Sequence, residues 1–115
     1  MHEGAIVKSL FDIAFQIKKD EELTKVTKIK IVVGKFHQIV DEVMIMHFDL
    51  MKKEYSGFKD AELEMIEKEV IVECSECGEI SNLTEPIFYC LKCSSPDTKI
   101  ISGNELYIEN IEGYK

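Results

Sequence analysis

The sequence contains no arginine, and all 14 of its basic residues are lysines. They face 22 acidic residues, so the chain of 115 residues has a formal net charge of -8 and a pI of about 4.9. Nucleic-acid-binding proteins neutralise phosphates and use arginine to grip phosphates and guanine edges. An acidic chain without arginine is poorly equipped for either task, and we predict no nucleic-acid partner.

Long apolar runs and catalytic motifs are missing as well. No apolar stretch approaches the roughly 20 residues of a membrane helix, and no basic stretch precedes an apolar run at the N-terminus as in a secretory signal. We therefore expect a cytoplasmic protein without a membrane partner.

The sequence has no glycine-rich phosphate loop and no His-x3-His pair. We predict that the protein is not an enzyme.

The four cysteines form two pairs, Cys74-x2-Cys77 and Cys90-x2-Cys93, separated by twelve residues. Because nothing marks the chain as secreted, this pattern indicates a metal site and not a disulfide framework. Four thiolates complete a closed tetrahedral cage with bonds of about 2.3 Å, which predicts structural Zn(II). Iron and a redox-active dithiol pair are the alternatives. Gly78 follows the first pair, where the turn needs a positive φ, and Ser94 takes the matching place after the second.

Periodicity predicts an α+β fold with the element order helix, strand, helix, strand, cysteine module, strand. The first helix spans Ala5 to Lys19, and the second runs from Asp41, as its N-cap, to Lys53. Strands are predicted around 26–33, 61–65 and 104–111, the last returning to the first sheet. The apolar run 70–72 leads directly into Cys74. Apolar residues recur on the first helix at Ile6, Leu10, Ile13 and Ile17, with Val7, Phe11 and Ala14 beside them.

His2 is placed where it can chelate a metal together with the chain terminus. The terminal amine, the deprotonated amide of residue 2 and the imidazole close fused rings around one ion, and the Glu3 amide can add a fourth in-plane donor. A planar, nitrogen-rich site selects Ni(II) or Cu(II). By itself, a histidine at position 2 is more often an exposed residue of a frayed terminus.

The combination of MHE at the start with the two cysteine pairs resembles the HypA/HybF family of hydrogenase maturation nickel chaperones. The resemblance covers essentially the whole chain. Further matching segments are Ala5, Ser9 and Leu10 in the first helix, 28–35 (KIKIVVGK), the acidic strand at 63–65 and 103–108 (GNELYI). Gly4 departs from the family pattern, in which a larger residue is usual, and this is expected to loosen the terminus.

The resemblance implies a small two-helix nickel domain on a mixed three-stranded sheet (1–69 and 100–115), with a zinc-ribbon-like domain inserted at 70–99. It maps the family's nickel-binding histidine to His2, the neighbouring acid to Glu3, and the zinc ligands to Cys74, Cys77, Cys90 and Cys93. It further implies a nickel-handling GTPase partner, HypB, and delivery of Ni(II) to the [NiFe]-hydrogenase large subunit. Some relatives also serve urease.

Two other histidines and the oligomeric state complete the predictions. His47 lies at the edge of an apolar helix face and is interpreted as a boundary residue more readily than as a ligand. His37 is predicted on a surface loop, with a second nickel contact as the alternative. The chain is compatible with a monomer or a homodimer. A second functional hypothesis is a zinc-ribbon adaptor in protein assembly, without a nickel role, in which His2 is incidental.

Overall fold

A computed structural model of the protein describes residues 3–83 and 89–115. Its helices and strands follow the predicted order, with three additional strands in the part of the chain that carries the cysteines. They are α1 (Glu3–Asp20), β1 (Lys25–Gly34), α2 (Asp41–Met51), β2 (Glu62–Lys68), β3 (Val70–Cys74), β4 (Ile80–Leu83), β5 (Thr98–Ser102) and β6 (Leu106–Tyr114), with 3₁₀ turns at Lys35–His37 and Lys52–Glu54. No helix in the described ranges combines the length and hydrophobicity needed to cross a membrane.

The first sheet has the strand order β2-β1-β6 and is mixed. Lys25 forms an ion pair with Asp60, and Lys28 forms one with Glu64. Because the residue numbers of both partners increase together, β1 and β2 run parallel. On the other side of β1, the Thr24 amide donates to the Tyr114 carbonyl and the Thr27 hydroxyl donates to the Glu112 carbonyl. Because the partner numbers fall as those of β1 rise, β6 runs antiparallel to β1. The last strand therefore does return to the first sheet, as predicted.

An aromatic cluster fills the space between the helices. The ring of Phe11 stacks on Phe48 at 4.9 Å and on Tyr55 at 4.7 Å, and Phe58 meets it edge-on at 5.6 Å. Stacked and edge-to-face aromatic pairs add to the free energy gained from burial alone. Phe11, Phe48 and Phe58 are completely or almost completely buried, so this cluster anchors α1 to α2.

The buried stripe of α1 is rotated from its predicted position. Val7, Leu10, Phe11 and Ala14 are buried, whereas Ile13 is 53% exposed. A helix carrying apolar residues at both sets of spacings turns its bulkiest residue, here Phe11, into the core. The predicted N-cap of α2 is also displaced, because Val40 occupies that position and Asp41 lies in the first turn. There Asp41 still interacts favourably with the helix dipole.

The second sheet has the order β4-β3-β5, and both pairings are antiparallel. None of its three strands is predicted from the sequence, because each is only four or five residues long. On the buried face of this sheet, Val70, Val72 and Leu83 form a small cluster against which Ile100 packs.

Two glycines allow segments of the chain to approach closely near this sheet. A Cβ on Gly34 would overlap the carbonyl group of Gly103, and a Cβ on Gly103 would lie 2.5 Å from the Cα of Val70. Gly103 has a φ of +107°, which disfavours other residues. The amides of Gly34 and Phe36 donate to the carbonyls of Glu105 and Gly103, at 2.7 and 2.9 Å. These hydrogen bonds hold the glycine contact together.

The chain divides into two compact units. The first comprises Met1–Ile31, Ile39–Ile66 and Tyr107–Lys115, and the second comprises Val32–Gln38 and Glu67–Leu106. The cysteines belong to the second unit. The predicted domain boundaries, 70–99 inserted into 1–69 and 100–115, stay a prediction.

Candidate metal centre

Each cysteine pair lies on a tight turn of the same construction. The Gly78 amide donates to the Cys74 carbonyl at 2.9 Å, and the Ser94 amide donates to the Cys90 carbonyl at 2.8 Å. Gly78 has a φ of +75° and Ser94 a φ of +61°. The left-handed residue after each pair, anticipated at Gly78, is thus present in both turns, although the second uses a serine.

The two turns bring all four sulfur atoms together. The Sγ atoms of Cys74, Cys77, Cys90 and Cys93 lie within 4.8 Å of one another. The closest contacts join the two turns, because Cys74 Sγ lies 3.6 Å from Cys93 Sγ and Cys77 Sγ lies 3.6 Å from Cys90 Sγ. None of the four cysteines forms a disulfide. Each close pair combines one buried and one exposed cysteine.

Backbone amides point at the sulfur atoms of the two buried cysteines. The amides of Lys92 and Cys93 both lie 3.4 Å from Cys90 Sγ, and the Cys77 amide lies 3.5 Å from Cys74 Sγ. The Cys93 amide is the main cause that lowers the pKa of the Cys90 thiol to about 7. The amide of Cys77 likewise lowers the pKa of Cys74. Donors that favour a thiolate also stabilise the negative charge that a metal ligand must carry.

The two exposed cysteines shift in the opposite direction. The Ser95 amide lowers the pKa of Cys93, but the neighbouring thiols, with Cys74 first, and burial outweigh it and raise the pKa to about 12. For Cys77 the Glu79 amide also acts to lower the pKa, whereas burial and the Cys90 and Cys74 thiols raise it on balance. Four thiolates cannot share so small a volume without a cation, so metal binding would release the remaining protons.

The donor set and its spacing fit tetrahedral zinc. With zinc–sulfur bonds of about 2.3 Å, the edges of a regular tetrahedron are ~3.8 Å, close to the two 3.6 Å contacts. Four cysteine ligands leave no open position for a water or a substrate, which is typical of a structural site. The assignment of the four cysteines as ligands stays a prediction at this point.

The residues predicted for nickel lie elsewhere in the chain. His2 is outside the described residues, and Glu3 is the first residue of α1. His37 lies in a 3₁₀ turn, where its Nε2 atom is 2.9 Å from the Asn104 carbonyl oxygen. His47 lies on α2 and packs against Gly4 in the first turn of α1. No sequence pattern links Gly4 to His47, because their contact depends on how the two helices pack.

Comparison with known proteins shows the family of this chain. The family model described as "Hydrogenase/urease nickel incorporation, metallochaperone, hypA" matches residues 1–113. The chain belongs to this family. The hydrogenase maturation factor HypA of Aquifex aeolicus is 30% identical over 112 residues, covering 97% of this chain and 96% of that protein. HypA of Desulfatibacillum aliphaticivorans is 34% identical over 113 residues, covering 97% and 86%.

Solved structures of HypA proteins share the fold. The solution structure of the Ni metallochaperone HypA from Helicobacter pylori has a TM-score of 0.72 and 24% identity, and the match covers 99% of this chain and 98% of that one. A second solution structure, of a HypA protein, has a TM-score of 0.71. The predicted fold is confirmed: two helices on a mixed three-stranded sheet, with a zinc-ribbon-like module that carries the four cysteines.

Proposed function

We propose that this chain is a nickel metallochaperone that binds Ni(II) at its N-terminus and delivers it during maturation of [NiFe]-hydrogenase. The observation that carries the proposal is the match of residues 1–113 to the HypA family, whose description names nickel incorporation. That match includes His2, Glu3 and all four cysteines. We propose that the chain acts as a maturation factor without catalytic activity of its own.

The start of α1 supports a nickel chelate built from main-chain nitrogens. The first four amides of a helix have no acceptor within the helix. Because α1 begins at Glu3, the Glu3 amide can bind a metal without breaking a helical hydrogen bond. His2 would add its amide and imidazole, and the chain terminus its amine. We propose that these nitrogens form a planar set suited to Ni(II).

Delivery follows from the position of such a site at the end of the chain. A fully enclosed metal releases slowly, whereas donors on a chain terminus can detach one after another. Nickel is thus the cargo of the protein, and the second metal has a different role. We propose that Cys74, Cys77, Cys90 and Cys93 bind Zn(II) as a structural ion in the second unit.

The proposed partners are the nickel-handling GTPase HypB, which supplies or exchanges nickel, and the [NiFe]-hydrogenase large subunit, which receives it. The proposed location is the cytoplasm, where a reducing environment keeps thiols available for zinc. The four unpaired cysteines support this location.

A nickel titration of the zinc-loaded protein with its native, untagged N-terminus tests the proposal. We expect one nickel ion per chain with micromolar or tighter affinity, and loss of this binding in His2→Ala and in a protein extended at its N-terminus. His37→Ala is the matched control, because the His37 ring already contacts the Asn104 carbonyl. Equal binding by all variants, or by none, would contradict the nickel site and favour the zinc-ribbon adaptor.

A further inference from the structure

The imidazole of His47 lies directly against the first turn of α1. A Cβ on Gly4 would lie 3.2 Å from Cε1 of the His47 ring, 3.4 Å from Nδ1 and 3.6 Å from Nε2. Both ring nitrogens are therefore close to the backbone at residue 4. The volume that a larger residue would fill at position 4 is taken by a histidine from another helix.

Among residues 3–83 and 89–115, no hydrogen bond or ion pair engages a nitrogen of the His47 ring. The side chain is half-buried. His37 differs, since its Nε2 atom lies 2.9 Å from the Asn104 carbonyl oxygen. A half-buried imidazole without a partner retains a free lone pair for a metal ion.

The proposed nickel donor Glu3 adjoins the residue that this ring contacts. Glu3 is the first residue of α1 and directly precedes Gly4. Consecutive Cα atoms are about 3.8 Å apart. An ion held by the Glu3 amide would thus be bound within a few ångströms of the turn that His47 contacts.

We propose that His47 is a further ligand of the terminal nickel ion, contributing an imidazole nitrogen from α2. This inference rests on the proposed function. The His47 imidazole would add one nitrogen to the proposed main-chain and terminal donors, since imidazole is a suitable ligand for nickel. A donor on a helix anchored by the buried Met44 and Phe48 would hold the ion while the terminal donors detach.

The experiment compares nickel binding by the zinc-loaded, untagged wild type with that of His47→Ala, His47→Gln and His37→Ala. Calorimetry measures the affinity, and X-ray absorption at the nickel edge counts the coordinated imidazoles. We expect both His47 variants to weaken nickel binding about tenfold or more and to lose one imidazole. The His37→Ala control is expected to match the wild type in both measurements. The glutamine variant serves if the alanine variant does not fold.

Gly4→Ala separates ligation from a structural effect. Alanine favours the helix over glycine by up to about 1 kcal/mol, but its Cβ would press on the His47 ring. We expect this variant to be at least as stable as the wild type and yet to bind nickel more weakly. Unchanged nickel affinity in Gly4→Ala would contradict the inference.

The outcomes distinguish this inference from the function on which it rests. If His2→Ala abolishes nickel binding while both His47 variants retain the wild-type affinity and imidazole count, His47 is not a ligand and the terminal site stands. Weaker binding in the His47 variants with an unchanged imidazole count would also overturn the inference. If His2→Ala binds nickel as the wild type does, the proposed terminal site itself is wrong.

Discussion

The two compact units of this protein differ in what fills their interiors. In the first unit, Phe11, Phe48 and Phe58 form a buried aromatic cluster. Met44, one turn before Phe48 on α2, is also completely buried. In the second unit, the apolar cluster of the sheet consists of three aliphatic side chains, Val70, Val72 and Leu83. Val32, Val33, Cys74 and Cys90 are also buried in this unit.

This difference shows how one chain can use two sources of stability. Aromatic side chains bury large areas, and each contributes several kcal/mol when removed from water and packed. A small sheet with short aliphatic residues gains much less, and small units of this kind commonly require a metal or disulfides. We therefore expect the first unit to depend on packing and the second on its metal.

Metal removal gives the largest expected effect. Stripping the proposed zinc with a chelator, or replacing Cys90 by serine, removes binding energy on the order of 10 kcal/mol, which in such sites is folding energy. Hydrogen exchange followed by mass spectrometry is expected to show loss of protection in β3 and β4. The amides of α1 are expected to retain theirs. Persistent protection of β3 without metal would mean that the aliphatic cluster suffices.

Truncation of the aromatic cluster tests the other half of the comparison. Phe11→Ala removes the ring that contacts Phe48, Tyr55 and Phe58, and we expect a loss of about 3–5 kcal/mol in the free energy of unfolding. Urea denaturation of the zinc-loaded protein measures it. Ile13→Ala on the same helix is the control, with less than ~0.5 kcal/mol expected because Ile13 is exposed. Similar losses for the two variants would refute the proposed role of the cluster.

Glu105 provides a pH-dependent contribution within the second unit. Its carboxylate accepts hydrogen bonds from the Gly103 amide at 2.8 Å and the Ser102 hydroxyl at 3.1 Å. Burial raises the pKa of Glu105, but the amides of Glu105 and Gly103 and the Ser102 hydroxyl outweigh burial, so on balance the pKa lies below its ordinary value. A depressed folded-state pKa stabilises the protein above the unfolded pKa, and this stability is lost as the pH falls through the folded value.

We therefore expect Glu105→Gln to cost about 1–2 kcal/mol at pH 7. The difference from the wild type should shrink as the pH falls below 4.5. Unfolding in excess zinc at several pH values measures this difference, with Glu109→Gln as the control, because Glu109 makes only an exposed ion pair with Lys30. A difference that is constant over this pH range would exclude the carboxylate as its source.

The smallest expected effect concerns the two cysteine turns. Ser94 adopts a left-handed conformation that costs a non-glycine residue about 1–2 kcal/mol. Glycine avoids this cost but loses more conformational entropy on folding, so Ser94→Gly is expected to stabilise the zinc-loaded protein by about 0.5–1 kcal/mol. Gly78→Ala, at the matching position, is expected to destabilise it. Thermal unfolding of both variants measures the effect, and a change of the same sign in both would contradict the equivalence of the turns.

Local patterns in the sequence predict the long elements well and the short ones poorly. The apolar spacing of α1 recurs from Ile6 to Ile17, and β-branched residues recur along most of the ten-residue strand β1. In contrast, β4 and β5 are too short for a period to emerge, and their strand conformation depends on pairing with β3. The exposure of Ile13 was likewise unpredictable, since two overlapping stripes on one helix can each face the core.

The geometry of the metal centre is likewise predictable from the sequence only in part. The spacing of the cysteines predicts that four sulfur atoms meet, because each turn brings two of them together. It does not predict that Cys74 lies nearest to Cys93 and Cys77 nearest to Cys90, since that choice depends on how the two turns face each other. The contact between Gly4 and His47 depends entirely on helix packing and carries no signal in the sequence.

The close approach at Gly34 and Gly103 limits how this sequence can vary. Where two side chains meet, one can shrink while the other grows, as the His47 ring occupies the space beside Gly4. At Gly34, however, the obstructing atoms belong to the main chain of Gly103, and at Gly103 they include the main chain of Glu69 and Val70. No substitution elsewhere can remove a backbone atom. Variants that keep this crossing of the chain must therefore keep both glycines, whatever else they change.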